Sequence, residues 1–442
     1  MSYLSNPLKL VSLCCCLILP GSSDTLTLRN AERAALENNL NFLSAQYELS
    51  ATRWERNSAI GNIFPTVSFS TTYITTEDIA EEPPAPVAQQ QPTVPTGPGI
   101  VGDGFSHQLS VTQPLFNGGV EVASLLVARK TLSAMEHTLE ATRQDVILEV
   151  RSNYLNTLVA FEQLRIDSTG LAWVEQNLKQ ARVSEERGVM PASEVLRWEA
   201  ELLERQVRIN ESHTAARLAL SQLLLSIGET QVGEADVQLE GMELLKQLYR
   251  DTAEIIDNGV GRNPSILAAE DELEVAQRSV LVSITQFLPR INAFFQYDWP
   301  PENGVIVEQE SYWTMGAQAS IDLFAGGRRY SELQMSRYQA RMAETMTQQM
   351  RRQTQISLEN ARDLYRNSGI EVEASSKRLQ LMQEALSMVE RRYRAGMAGL
   401  IELLDTQMQL EAAQVAYLGA MAGSILNRAE YLRAAGMLEE LQ

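Results

Sequence analysis

Side chains able to do chemistry are few in this 442-residue chain, and their spacing excludes most reactions. The histidines, His107, His137 and His213, stand far apart with no cysteine or carboxylate partner at metal-ligand spacing, so no metal centre is expected. The three cysteines, Cys14, Cys15 and Cys16, are adjacent and lie in an N-terminal apolar stretch. A chain processed beyond them has neither a thiolate site nor a disulfide framework. Gly118-Gly119 lacks the Lys-Ser/Thr that a phosphate-binding loop places ahead of its helix. No nucleophile–base pair is visible, so neither catalysis nor a cofactor is expected. The formal charge of −19 argues against nucleic acid as a partner. Two short patterns do draw notice. Arg187-Gly188 precedes Glu194 and Arg394-Ala395-Gly396 precedes Glu402, each carboxylate six residues after its glycine.

Those two patterns recur because the elements around them recur. From Tyr312, residues Trp313, Met315, Ala317, Ala319, Ile321 and Leu323 alternate with Thr314, Gly316, Gln318, Ser320 and Asp322. That period of two predicts a strand with two different faces. It ends in Leu323-Phe324-Ala325-Gly326-Gly327, after which 67 residues without proline run to Arg394. As one helix they would span about 100 Å at roughly 1.5 Å per residue. A second helical run, Leu400 to Ala435, then heads back. The earlier copy reads Phe105, His107, Leu109, Val111, Gln113 and Leu115 along one strand face. It continues through Phe116-Asn117-Gly118-Gly119, a long helix, Gly188, and a return from about Ser193 to Ser226. The two are offset by a constant 208 residues, which predicts long helices of equal length. Upstream the offset is 224, with Asn39 on Asn263, Ala45 on Ala269, Glu48 on Glu272, Pro65 on Pro289 and Tyr73 on Tyr297. Gly118, Gly119, Gly326 and Gly327 are expected to let the backbone bend from strand into helix, as hinges.

In chain order, residues 1–23 resemble a secretory signal: Lys9, an apolar Leu10–Leu19 and small residues before Asp24. Without Lys9 the charge becomes −20. The first repeat is placed at 24–227, with a helix from Asp24 to Asn62 ended by Pro65 and a strand over Thr66–Thr76. The strand hairpin runs over 66–115 and includes a long Pro-, Gln- and Gly-rich loop, Glu77–Gly104, that cannot bury a core. An irregular connection occupies 228–262. The second repeat spans 263–436 with its hairpin at 290–324, and a tail covers 437–442.

Four strands of about 10 to 12 residues match tilted membrane strands, with Tyr297, Trp299, Tyr312 and Trp313 as interfacial aromatics. A lipid-exposed sheet edge is not tolerated, and known bacterial barrels need about eight strands or more. A four-stranded chain must therefore oligomerise; the count alone allows two, three or four copies. The first long helix carries a loose heptad, Leu132, Met135, Leu139, Val146, Val150, Tyr154, Leu158 and Phe161, between polar faces, as in a coiled-coil wall. The helices alone would favour a structural coiled-coil rod, and the attached membrane strands reverse that preference. A periplasmic adaptor is a further alternative, but it would show one hairpin rather than two.

Several stretches carry a family resemblance: Leu26-Thr-Leu-Arg-Asn-Ala, Phe64-Pro65, Gln113-Pro114-Leu115-Phe116-Asn-Gly-Gly, and Tyr393-Arg-Ala-Gly-Met-Ala-Gly-Leu-Ile-Glu-Leu-Leu-Asp-Thr-Gln. The chain resembles the TolC family of outer-membrane efflux and secretion channels along nearly its whole length past residue 23. The resemblance implies a mainly α fold with membrane β: a homotrimer whose 12-stranded barrel sits in the outer membrane of a Gram-negative bacterium. An α-helical barrel would continue it through the periplasm. It implies a periplasmic adaptor and, through it, an inner-membrane pump as partners, with outer-membrane lipid around the barrel. The turns holding Arg187, Gly188, Glu194, Arg394, Gly396 and Glu402 would be the adaptor-docking tip. Glu384 and Glu390 would line a periplasmic gate.

Overall fold

The computed structural model describes residues 26–74, 104–229, 245, 246, 249, 262–299 and 311–439. The signal segment, residues 77–103 of the long loop and most of the 228–262 connection lie outside the described residues.

Two helices open the chain, α1 (Leu28–Asn38) and α2 (Leu40–Gly61). The sequence implied one helix here. Asn39 breaks it: its backbone is extended (φ −64°, ψ 123°) and its side chain accepts from Asn41 N and Phe42 N, capping α2. A side chain that satisfies the free amides of a helix start makes a new N-terminus more stable than a continued helix. The helix ends at Gly61, so Pro65 marks the start of the following strand rather than the stop itself.

Strands β1 (Thr66–Ile74) and β2 (Gly104–Asn117) form the first hairpin, and β3 (Arg290–Trp299) and β4 (Tyr312–Ser320) the second. They make one antiparallel sheet in the order β1-β2-β3-β4. The register places Phe69, Leu109, Tyr297 and Trp313 in one cross-strand row and Val67, Val111, Phe295 and Met315 in the next. The other face is mostly polar, with Phe294 and Tyr312 among its serines, threonines and glutamines; there the Ser68 and Ser110 hydroxyls meet at 2.6 Å and Gln108 donates to Asp298 at 2.8 Å. The alternation read from sequence thus becomes one apolar and one polar face. β4 stops at Ser320, short of the expected Leu323. β3 begins at Arg290, which already pairs Ser320, so the residues beyond have no strand to pair among the described residues. β2 runs on to Asn117 because a bulge between Pro114 and Phe116 keeps it on β3.

Each hairpin feeds a long helix, α3 (Val120–Glu186) or α6 (Arg328–Arg394), both of 67 residues. The returns α4 (Ala192–Ser226) and α7 (Leu400–Ala434) are both 35 residues long, and α5 (Pro264–Thr285) is the second copy of α2. None of these helices is long and apolar enough to cross a membrane, among the described residues.

The main core lies where α1, α3, α4 and α7 meet, around Val150, Tyr154, Leu158, Leu223, Leu418 and Met421. Burying each such aliphatic side chain contributes roughly 1.5–3 kcal/mol. Most of the expected α3 heptad points there, but Phe161 is exposed, and Ile147 and Leu155 are buried in addition. Asn39 Nδ2 donates to Ser226 O at 2.9 Å, and Asn263 Nδ2 donates to Ala434 O at 2.9 Å. The two contacts obey the 224 and 208 offsets, so the duplication extends to single hydrogen bonds.

Candidate functional site at the helical tips

α3 and α6 end in the same turn. Gly188 (φ 72°) and Gly396 (φ 70°) take the left-handed conformation that closes a helix. Val189 N donates to Ser184 O at 2.9 Å and Met397 N to Arg392 O at 2.8 Å, satisfying carbonyls of the last turn. Glu194 and Glu402 fall in the first turns of α4 and α7, where the helix dipole favours a negative charge.

The structure gives most of these side chains local partners. Arg392 Nη1 donates to Glu402 at 2.8 Å, closing the second tip across its own turn. Arg394 lies 3.4 Å from Glu390. Arg394 therefore has a partner within its own helix, and Arg187 is exposed. Tyr393 OH donates to Glu194 Oε2 at 3.3 Å, joining the second-copy tip to the first. The buried indole of Trp198 donates to the same hydroxyl and packs edge-on against Trp173 at 5.5 Å. Burial, together with the Glu194 carboxylate, raises the Tyr393 pKa above its ordinary value, with the Trp198 bond opposing. A cleft of about 810 Å³ opens between the tips, lined by Trp173, Asn177, Glu194, Trp198, Glu390 and Tyr393.

The structure does not bring Glu384 and Glu390 together. Six residues apart, they lie about 120° apart around a helix of roughly 3.6 residues per turn. Glu384 is exposed and accepts from Gln380 at 3.1 Å, while Glu390 borders the cleft. Tyr393 and Trp198 were the tip residues that sequence reasoning passed over. Their signal was present, an aromatic just before Gly396 and one four residues after Glu194, but nothing in one dimension pairs them.

Higher up, Arg205 on α4 is buried between Glu201 at 2.7 Å and Glu411 of α7. Gly170 of α3 leaves the room: a Cβ there would come within 2.8 Å of the Arg205 guanidinium. The 208-offset counterpart of Arg205 is the buried Ala413, so this ion cluster belongs to one copy only. At the level of α5, His137 does approach a carboxylate, Asp271 at 3.7 Å, which its sequence neighbours did not reveal. Lys130 holds that carboxylate at 2.8 Å, and no metal-ligand group occurs among the described residues.

At the sheet–helix junctions, Gly118, Gly119, Gly326 and Gly327 all have positive φ. They differ in surroundings. A Cβ on Gly118 would fall 2.5 Å from Thr285 O, whereas Gly326 has nothing within 4 Å.

A two-faced sheet running directly into paired helices that lock at their far ends defines a subunit that is part membrane wall and part tube wall. The chain belongs to the outer membrane efflux protein family, whose model matches residues 32–229 and 255–435, one segment on each repeat. It lies in the outer membrane. It is 24% identical over 321 residues to the pyoverdine export outer membrane protein OpmQ of Pseudomonas aeruginosa, covering 71% of this chain and 65% of that protein. With the toluene efflux pump outer membrane protein TtgC of Pseudomonas putida it shares 22% identity over 416 residues, 92% of this chain and 82% of that one. Among solved structures, the CmeC outer membrane channel of Campylobacter jejuni superposes with a TM-score of 0.77 at 16% identity, covering 94% of this chain and 87% of that one.

Proposed function

We propose that the chain is the exit duct of a tripartite efflux or type I secretion assembly, conducting small molecules or proteins from a periplasmic pump complex to the exterior. The observation that carries this is the open four-stranded sheet, mainly apolar on one face and mainly polar on the other, whose edge strands β1 and β4 each pair on one side only among the described residues. Three copies give 12 strands and a closed barrel with a wet lumen, in line with the need to satisfy every backbone group in lipid. The helices then form one continuous tube, and the tips at Gly188 and Gly396 are its far end, where a periplasmic adaptor docks. The gate lies at this end. Tyr393–Glu194 holds the two hairpins of a chain together, and Glu384 and Glu390 are candidate acids of the constriction.

Purified protein should give a trimer by native mass spectrometry and discrete, long-lived conductance steps in planar bilayers. A strain lacking the chain should become sensitive to part of a drug panel or lose part of its secretome. A stable monomer without conductance would overturn the reading.

A further inference from the structure

The apolar face of the sheet holds one side chain that burial in hydrocarbon does not explain. The face shared by Val67, Phe69, Thr71 and Tyr73 of β1 continues through alternate residues of β2, β3 and β4. Among the described strand residues it carries no Asp, Glu, Lys or Arg and a single histidine, His107. His107 pairs Thr71 on one side and Trp299 on the other. From the row of Ile291, beside the helices, to that of Trp299 the strand climbs eight residues. At about 3.3 Å per residue and a tilt of about 40° this is roughly 20 Å of height, against the ≈ 25 Å of a barrel's apolar band. His107 is therefore at the boundary of the band farthest from the helices.

The imidazole is held in place. Phe105 in the row above lies parallel to it, with centroids 6.5 Å apart and planes at 2°, and Phe69 in the row below is 5.9 Å away at 13°. Nδ1 and the Thr71 hydroxyl are 3.0 Å apart. With Thr71 donating there, the ring proton is on Nε2, which has no partner among the described residues. A fixed N–H donor in hydrocarbon is costly, whereas at headgroup level it meets acceptors. Tyr73, 5.0 Å from Phe105, and Trp299, edge-on to Phe69 at 6.3 Å, complete an aromatic collar of the kind that marks that level.

We propose that His107 is a lipid headgroup site, its Nε2–H donating to a phosphate oxygen of a phosphorylated glycolipid in the outer leaflet. This rests on the reading of the sheet as a barrel wall with the helices on the periplasmic side, which turns the His107 end outward. A phosphate is the acceptor that suits the donor, because hydrogen bonds to ionised groups are about twice as strong as neutral ones. No Lys or Arg of this face competes for it among the described strand residues, and the Trp299 indole in the same row offers a second N–H. Under the 208 offset His107 corresponds to Met315, so the site belongs to the first copy and occurs once per chain.

The test is native mass spectrometry of the full-length protein in detergent, titrated with bisphosphorylated lipid A and with the same lipid stripped of its phosphates. The wild-type trimer should retain one phosphorylated lipid per chain and bind the stripped lipid more weakly. His107→Phe keeps the stack; it should bind the phosphorylated lipid roughly tenfold more weakly and the stripped lipid as before. His107→Gln loses the ring but keeps an N–H donor, and should stay within about threefold of wild type. An equal loss for both lipids, or weak binding by the Gln variant with normal binding by the Phe variant, would mean that the ring only packs and overturns the site. Displacement of the lipid by inorganic phosphate would assign a free anion in its place and overturns it too. Absence of a trimer in the wild type overturns the barrel reading itself.

Discussion

The hydroxyl of Tyr393 donates to the carboxylate of Glu194 across 3.3 Å, tying the end of the second long helix to the start of the first returning one. The two residues are 199 positions apart in sequence, and the bond is the direct polar link described between the two tips of a chain. Replacing Tyr393 with Phe removes the hydroxyl and keeps the ring. The expected loss is about 0.5–1.5 kcal/mol of tip closure, read as a broader and longer distance distribution between spin labels at Val189 and Met397. An unchanged distribution would show that packing alone holds the tips.

The same bond sets an alkaline limit. The phenol pKa is raised above 10.0, through burial and the neighbouring carboxylate. A raised pKa means the folded tip keeps the proton that an unfolded tyrosine loses. The stabilisation is therefore fully present below about pH 10 and is lost as pH rises through the folded value. Label distances should stay constant from neutral pH to that point and lengthen above it, and Tyr393→Phe should show no such transition.

Arg205 is charged and buried, and its value to the fold depends on both carboxylates. Burial by itself would lower its pKa, but hydrogen bonds and charges from Glu201 and Glu411 outweigh it. Arg205→Met strands two acids in the helical wall and should cost about 3–5 kcal/mol, whereas replacing all three by apolar residues should be close to neutral. Denaturant titration of the helical signal in detergent distinguishes the two variants; equal losses would contradict the account.

Asn39→Ala and Asn263→Ala should destabilise equally. Each loses an N-cap, about 1 kcal/mol, and each loses an amide bond to the last turn of the returning helix. Amide exchange at the starts of α2 and α5 measures this directly, and a loss confined to one copy would mean the two caps are not equivalent.

Asp271 titrates in the opposite sense to Tyr393. Burial pushes its carboxyl up, but hydrogen bonds from Lys130 and Ser133 and the charges of Lys130 and His137 prevail, leaving it below 3.8. The contribution is present above that pH and lost as pH falls through the folded value. Asp271→Asn should remove part of the acid-induced loosening of the α3–α5 seam, seen as a smaller change in amide exchange between neutral pH and pH about 3.

Much of this architecture was legible because duplication writes it twice. The 208 offset predicted long helices of one length, and both have 67 residues. Alternation at Tyr312 identified the strand faces but not where β4 ends, because an end is set by what lies alongside and Arg290 is remote in sequence. The break at Asn39 was hidden, since an asparagine within a good helical composition reads as one weak residue until its side chain is seen capping. The tip turns were recognisable from their glycines. Tyr393–Glu194 and Arg205–Glu411 were not, because each joins helices from different copies and nothing local encodes the meeting.

One feature of the wall bears on how force travels through it. α3 and α6 are continuous, while the strips beside them are pieced from shorter helices that abut at Asn39–Ser226 and at Asn263–Ala434. Each long helix is thus a splint laid across a joint. Among the described residues, the splint is the unbroken backbone that carries a sideways pull at a tip past the joint, where the abutting pieces are held by side-chain amide bonds. A proline placed in α3 at the level of the joint would leave both halves of the wall folded and disconnect them mechanically. A pull applied at the tips, where we propose an adaptor docks, would then no longer reach the far end of the subunit.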